Sequence, residues 1–179
     1  MGAARKIIFE TPRLTIRNFA ESDWQALQAF GGRPEVARMM ASLKSPWLKA
    51  DVLDWMTSAP YRGQLGFRAG IFLKDGPLIG FVGLGGEPPD CAYAIDPAHW
   101  GKGYASEALA GLLAHCFSHF DVDLVTAAHF CDNPASGQVL TKLGFQQTGI
   151  GMGESAARLE PAPNITYRLT RSQYEATLR

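Results

Sequence analysis

The segment that most constrains the fold is a glycine-rich turn followed by a long amphipathic helix, predicted over residues 104 to about 120. Apolar residues recur there at intervals of three and four, which places them in one stripe along the helix. The stripe consists of Ala105, Ala108, Leu109, Leu112, Leu113, Cys116, Phe117 and Phe120. A stripe of this length has to be buried against another layer of structure, so the pattern predicts a layered fold.

Apolar runs separated by turn residues predict strands on both sides of this helix. The predicted strands cover residues 13–19, 66–73, 78–84, 91–95, 124–130, 145–150 and 165–169. Further helices are predicted at 21–30, from Ser45 and Pro46 to just before Pro60, and at 133–144. The polar stretch 151–163 is predicted to be a loop. The resulting order is mixed α/β, a sheet backed by helices, and residues 1–179 are expected to form one domain.

Composition and charge exclude several classes of protein. Apolar residues make up 46% of the chain and charged residues 19%, which excludes a disordered chain. Seventeen basic residues balance 17 acidic ones, so no nucleic-acid partner is expected. No membrane partner is expected either, because no run of 18 apolar residues exists, and the opening residues lack an apolar signal core. Cys91, Cys116 and Cys131 form no CxxC pair, which favours reduced thiols and a cytoplasmic location.

The sequence DPAHWGKGYASE, residues 96–107, predicts a phosphate-binding turn. Amide groups at a helix start lack internal partners and carry partial positive charge. Gly101 and Gly103 let a phosphate approach this backbone, Lys102 adds a charge, and Ser106 adds a hydroxyl donor. The alternative interpretation is a tight turn before a helix. The chain has neither GxxxxGK[ST] nor GxGxxG, which disfavours P-loop enzymes and Rossmann dehydrogenases.

Three motifs in this order resemble the GCN5-related N-acetyltransferases (GNAT), and in particular the branch that includes the ribosomal-protein alanine acetyltransferases. The motifs are TPRLTIRNFAESD at the start, YAIDPAHWGKGYASEAL in the centre and NPASGQVLTKLGF after it. The resemblance extends from about Thr11 to Thr170. The family pattern R/Q-x-x-G-x-G/A is matched from Gly101 to Ala105, with Trp100 at its first position, as is usual for this branch.

The resemblance implies a GNAT-like fold in which two central parallel strands, about 91–95 and 124–130, splay apart because a bulge interrupts their pairing. It implies that acetyl-CoA, as co-substrate, binds in this opening. The pantetheine arm would lie along Tyr93, Ala94 and Ile95, and a backbone N–H near Ile95 would polarise the thioester carbonyl. The diphosphate would lie on the segment formed by Trp100, Gly101, Lys102, Gly103, Tyr104, Ala105 and Ser106.

The resemblance also implies roles for side chains. Asn133 is expected to cap a helix and to contact the coenzyme. Ser136 would lie near the sulfur and protonate the departing thiolate, a task for which many relatives use a tyrosine that this helix lacks. Asp90 would draw a proton from the incoming amine; alternatively it is a solvated carboxylate at a strand start. Glu154 is a second candidate for the base.

Other reactive side chains are interpreted as structural. His115 and His119 are expected on a solvated helix face, and no metal site is expected. Cys91 and Cys131 are interpreted as small core or near-core residues. Core packing is favoured over a role in roofing the acceptor pocket for Trp47, Trp55 and Tyr61.

The function that follows is an N-acetyltransferase, an acyltransferase that moves acetyl from acetyl-CoA to a primary amine by direct attack in a ternary complex. The amine acceptor stays open between a peptide N-terminus and small molecules such as an amino acid, a polyamine or an aminoglycoside. The first two helices and the 151–163 segment are expected to build its site. Alternatives are a non-catalytic CoA-binding sensor or scaffold and an enzyme that uses a longer acyl-CoA. The chain is expected to be a monomer or a homodimer.

Overall fold

A computed structural model describes residues 6–178, so residues 1–5 and 179 of the predicted domain lie outside the described part. The chain forms one eight-stranded sheet in the order β1-β2-β3-β4-β5-β6-β8-β7. The strands are β1 (Ile7–Glu10), β2 (Leu14–Arg17), β3 (Phe67–Leu73), β4 (Leu78–Gly85), β5 (Asp90–Ile95), β6 (Leu124–Phe130), β7 (Gln146–Gly153) and β8 (Ala162–Thr170). The mixed α/β class predicted from the sequence is confirmed.

Helices cover both faces of this sheet. They are α1 (Trp24–Gly31), α2 (Pro34–Ala37), α3 (Lys49–Thr57), α4 (Tyr104–His119), α5 (Pro134–Lys142) and α6 (Arg171–Thr177), with short 3-10 helices at Glu21–Asp23 and Pro97–His99. Within residues 6–178, none of the helices has the length and hydropathy needed to cross a bilayer.

The core lies in two clusters, one on each face of the sheet. Successive residues of β4 point to opposite faces, so Val82 joins the cluster under α4 while Phe81 joins the cluster under α1 and α3. The predicted stripe is buried along α4, and Leu109 and Leu112 are fully inaccessible, while Ala105 and Phe120 at its two ends are partly buried. Trp47, Trp55 and Tyr61 are core residues, as expected.

The strands β5 and β6 form the parallel pair that the resemblance implied, and they separate after one pair of residues. That pair is Asp90 and Thr126, at the amino ends of both strands. The Thr126 amide also donates to the Pro89 carbonyl at 2.8 Å. The pairing of β4 with β5 is continuous, so a bulge between these two strands does not cause the separation of β5 from β6. The register shift that involves β4 is in its pairing with β3. The result is a gap that opens toward Ile95.

Several predicted boundaries are wrong. Helix α3 begins at Lys49 rather than at Ser45, because Ser45 Oγ donates to the Gly32 carbonyl and holds this segment against the end of α1. The 151–163 loop is shorter, because β7 continues to Gly153 and β8 begins at Ala162. The sequence patterns also did not predict β1, α2 and α6.

The solvated face predicted for His115 is also wrong. Its side chain is buried, with Nε2 3.0 Å from the Tyr61 hydroxyl oxygen. Phe9 of β1 stacks on the imidazole with the ring centroids 5.5 Å apart, and the His119 ring stacks on it at 4.2 Å. The burial of His115 was missed because β1, which covers this part of α4, was not predicted.

Acid is therefore expected to destabilise the fold through His115. Burial, followed by the nearby His119, lowers the pKa of His115 below its ordinary value of 6.5. As the pH falls below 6.5, the unfolded chain takes up a proton that the folded chain resists, so the free energy of unfolding decreases. Thermal unfolding of the parent protein should occur at a lower temperature at about pH 5.5 than at about pH 7.5, and His115→Gln should flatten this dependence. The same pH dependence of the unfolding temperature in the parent protein and in His115→Gln would contradict this role of His115.

Candidate coenzyme and active site

The glycine-rich turn joins the end of β5 to the start of α4. Asp96 begins it by accepting a hydrogen bond from the Ala98 amide at 3.0 Å. Gly101 and Gly103 have φ angles of +73° and +79°, a left-handed conformation that glycine adopts at little cost. A Cβ on Gly101 would meet no heavy atom within 4 Å, so the backbone there is open to a bound molecule. The turn therefore presents accessible amides at the amino end of α4.

Arg13 and Glu107 hold this turn from the outside. Arg13 Nη1 donates to the Lys102 carbonyl at 3.0 Å, and the guanidinium lies 4.5 Å from the Tyr104 ring centroid. Arg13 Nε donates to Glu107 at 2.6 Å, and Thr11 Oγ1 donates to the same carboxylate. Burial alone would raise the pKa of Glu107, but these hydrogen bonds outweigh it and lower the pKa. The sequence did not predict these contacts to the turn, although Arg13 and Glu107 both lie within the motifs quoted above.

The gap between β5 and β6 opens into a cleft of about 930 Å³ beside the turn. The sequence-predicted residues that line it are Asp90, Tyr93, Ala94, Ile95, Trp100, Gly101, Gly103, Tyr104, Ala105, Ser106, Asn133 and Ser136. Lys102 is not among the lining residues, because its ammonium group donates to the Ala98 carbonyl at 3.2 Å. The cleft thus brings together all but one of the predicted site residues.

The backbone at the carboxyl end of β5 faces the gap. The Asp96 amide donates to the Ile79 carbonyl of β4 at 2.8 Å. Because backbone groups of successive strand residues point to opposite sides, those of Ile95 and Tyr93 point away from β4. The Ile95 carbonyl is reached from that side by Trp100 Nε1, at 2.7 Å. The Ile95 amide therefore faces the opening, where the resemblance implied a polarising N–H.

Ser136 lies at the start of α5, where a tyrosine from β5 reaches it. The Tyr93 hydroxyl oxygen is 2.7 Å from Ser136 Oγ and donates to the Ser136 carbonyl at 3.1 Å. Burial is the main factor that raises the pKa of Tyr93 above its ordinary value. Sequence reasoning assigned Tyr93 a backbone role only, so this side-chain contact was missed. Asn133 precedes the helix, but its side chain makes none of the predicted capping hydrogen bonds.

Both candidate bases line the cleft. Asp90 is the first residue of β5 and accepts a hydrogen bond from Thr126 Oγ1 at 2.8 Å. Desolvation raises the pKa of Asp90, and the hydrogen bond from Thr126 opposes this only in part. Glu154 lies across the cleft, directly after β7. A carboxylate whose pKa is raised toward the working pH is suited to accept a proton.

Cys91 lies on β5 and Cys131 directly follows β6, on the two strands that border the gap. Cys91 is buried, and desolvation raises the pKa of its thiol far above the ordinary value. Cys131 is exposed, so its predicted near-core position is wrong; it follows directly after the end of β6. Between residues 6 and 178, no three His, Cys, Asp or Glu side chains are grouped in a way that would hold a metal ion.

The far wall of the cleft is lined by α2 and the turn after it, and by Gly153 and Glu154, where the connection 154–161 begins. Arg158 joins them, since its Nε donates to the Arg38 carbonyl at 2.9 Å and its Nη2 lies 2.8 Å from both oxygens of Asp132. The guanidinium also lies 4.4 Å from the Phe130 ring centroid. This wall is therefore fixed to the connection between β6 and α5. Of the segments expected to build the acceptor site, residues 151–163 line this side through Gly153 and Glu154. The two helices predicted at 21–30 and from Ser45 do not line it, because α2 and the turn after it, which were not predicted, lie there instead.

Comparison with known proteins identifies the family. A family model described as an acetyltransferase (GNAT) domain matches residues 13–146. The uncharacterized N-acetyltransferase YoaA of Bacillus subtilis is 31% identical over 150 residues, covering 80% of this chain and 85% of that protein. The chain belongs to the GNAT family, and it is an acyl-CoA-dependent acetyltransferase.

Solved structures share the fold at low sequence identity. RimL, a ribosomal L7/L12 alpha-N-protein acetyltransferase in complex with coenzyme A, has a TM-score of 0.77 at 19% identity, covering 92% of this chain and 98% of that one. Spermidine N-acetyltransferase from Vibrio cholerae, in complex with CoA and spermine, has a TM-score of 0.77 at 16% identity, covering 92% of this chain and 99% of that one.

Proposed function

We propose that this enzyme transfers acetyl from acetyl-CoA to a primary amine. The observation that carries the proposal is the gap between β5 and β6, which ends at the glycine turn. In the proposed complex the amides of residues 101–106 bind the diphosphate, Asn133 contacts the coenzyme, and the pantetheine arm extends along β5. The Ile95 amide donates to the thioester oxygen, an interaction typically worth about 3 kcal/mol in the transition state.

The amine attacks the thioester directly in the ternary complex. Asp90 lies five residues before Ile95 on β5, about 16 Å away, so it takes up a proton from the amine through water. Ser136 acts at the sulfur when the carbon–sulfur bond breaks. A route through an acetylated cysteine is disfavoured, because burial raises the pKa of Cys91 and leaves little thiolate. Holding both reactants in one cleft accounts for much of the rate enhancement.

The acceptor is proposed to be a peptide N-terminus or a small amine. RimL is an acetyltransferase of a ribosomal protein, and the Vibrio cholerae protein is a spermidine N-acetyltransferase in complex with spermine, which supports both classes. Val36, Met39 and Met40 make part of the acceptor wall apolar, while Glu154 and Asp90 supply carboxylates that attract an ammonium group. We also propose that the chain is one acetyltransferase domain that works in the cytoplasm as a monomer or a homodimer.

Release of free thiol from acetyl-CoA tests the activity. The amine panel should contain a peptide with a free N-terminus, a free amino acid, spermidine and an aminoglycoside, and propionyl-CoA should be run in parallel. We expect thiol release that depends on at least one amine and is faster with acetyl-CoA. Binding of acetyl-CoA by calorimetry without thiol release for any amine would instead indicate a sensor. Faster release from propionyl-CoA would indicate a longer acyl donor.

A further inference from the structure

The contact between Tyr93 and Ser136 allows two arrangements of two protons. The Ser136 carbonyl can only accept, so the 3.1 Å contact uses the Tyr93 proton. In that arrangement Ser136 Oγ–H points back at Tyr93, across the 2.7 Å contact. If the Tyr93 proton turns to Ser136 Oγ instead, the serine proton is free to point elsewhere. Only a rotation of two hydroxyl groups separates these arrangements.

Both side chains line the cleft, so the freed serine proton has a target there. Ser136 is the third residue of α5, where the partial positive charge of the helix start also favours a nearby anion. In the proposed reaction the anion that forms in this gap is the thiolate of CoA. A hydrogen bond from the Tyr93 hydroxyl to the Ser136 carbonyl would be enough to hold β5 against α5. The shorter of the two contacts, however, joins the Tyr93 hydroxyl to the Ser136 hydroxyl.

We propose that Tyr93 is a positioning residue that turns the Ser136 hydroxyl toward the sulfur of CoA and so stabilises the leaving thiolate. This inference rests on the proposed function, because it requires CoA in the gap. In this arrangement Tyr93 of β5 supplies the tyrosine hydroxyl that α5 lacks.

The protons of this step balance with those of the overall reaction. The carbon–sulfur bond breaks with its electron pair on sulfur, while the acceptor nitrogen, which enters as an ammonium group, gives up two protons. One goes to Asp90 and then to water, and the other ends on sulfur as the thiol. Tyr93 keeps its proton throughout, because burial disfavours the phenolate. It acts as a hydrogen-bond donor to Ser136 Oγ while Ser136 donates to sulfur.

The thiol pKa of bound CoA tests this without any knowledge of the acceptor. CoA is titrated in complex with the parent protein and with Tyr93→Phe, Ser136→Ala and the double variant, and thiolate is followed by its ultraviolet absorbance as a difference from protein alone. We expect Tyr93→Phe and Ser136→Ala each to raise this thiol pKa by roughly one unit, the effect of one lost hydrogen bond to a charged group. The double variant should show no more than Ser136→Ala alone, because Tyr93 acts through Ser136.

Two controls separate the possible failures. Tyr167→Phe removes another buried tyrosine hydroxyl, which lies 3.2 Å from His129 Nε2, and should leave the thiol pKa unchanged. CoA affinity is measured by calorimetry for every variant and should stay close to that of the parent. Normal CoA affinity with an unchanged thiol pKa in Tyr93→Phe would overturn the inference and leave Tyr93 as a brace; additive shifts would overturn it as well. Absence of CoA binding by the parent protein would overturn the proposed function itself.

Discussion

Replacing Gly101 by glutamate is expected to abolish acetyl-CoA binding, with a rise in Kd of more than about 100-fold, or about 2.7 kcal/mol. The new side chain starts in open space at the turn, so it does not clash with the protein. It places a carboxylate where the account puts a diphosphate, and like charges at the start of α4 repel each other. Calorimetric titration with acetyl-CoA measures the loss.

Gly101→Gln is the matched control for this substitution. Glutamine has nearly the same size as glutamate and experiences the same left-handed backbone strain, about 1–2 kcal/mol, but it carries no charge. We expect it to weaken binding far less than glutamate does, and both variants should keep similar unfolding temperatures. Tight binding of acetyl-CoA by Gly101→Glu, or an equal loss of acetyl-CoA affinity in both variants, would contradict electrostatic recognition of a phosphate at this turn.

Replacing Asp90 by asparagine is expected to lower kcat by about 10²- to 10³-fold, the usual contribution of a positioned general base. Asparagine retains an oxygen that can accept the hydrogen bond from Thr126, so the closed end of the gap should keep its structure. The KM for acetyl-CoA should change little, because Asp90 lies at the opposite end of β5 from the diphosphate turn. Steady-state kinetics with an active amine measures both quantities.

The pH profile distinguishes this role from a structural one. Desolvation raises the pKa of Asp90, and only its ionised form accepts a proton. The rate should therefore increase as the pH rises through that pKa, and Asp90→Asn should lose this dependence. Glu154→Gln is the matched control, since it removes the other candidate carboxylate of the cleft. A larger loss of kcat in Glu154→Gln than in Asp90→Asn would transfer the role of base to Glu154.

Local patterns were sufficient to predict the glycine turn and the helix that border the cleft. The apolar stripe of α4 and the two glycines before it are separated by only a few residues, so periodicity and backbone geometry predicted them directly. The helix predicted at 133–144 also ends close to the expected residue, because Gly144 follows α5 with a left-handed φ of +88°. Lys102 shows the limit of this approach, because its position in the motif did not determine that its side chain folds back onto Ala98.

Contacts between distant segments were not predictable from one sequence. Arg13 reaches Glu107 across 94 residues, and Tyr93 reaches Ser136 across 43. Neither pair has a periodic signal, and the short strand β1 was too weak a pattern to predict. The acceptor wall depends on Arg158, whose contacts with Arg38 span 120 residues. The sequence therefore left the acceptor open, while it gave a specific hypothesis for the coenzyme.

A crystal structure of the protein with acetyl-CoA tests the central claim most directly. We expect diphosphate oxygens within hydrogen-bonding distance of amides in residues 101–106, and the thioester in the gap between β5 and β6 with its oxygen toward the Ile95 amide. A coenzyme bound elsewhere on the protein, with this turn and gap left empty, would contradict it.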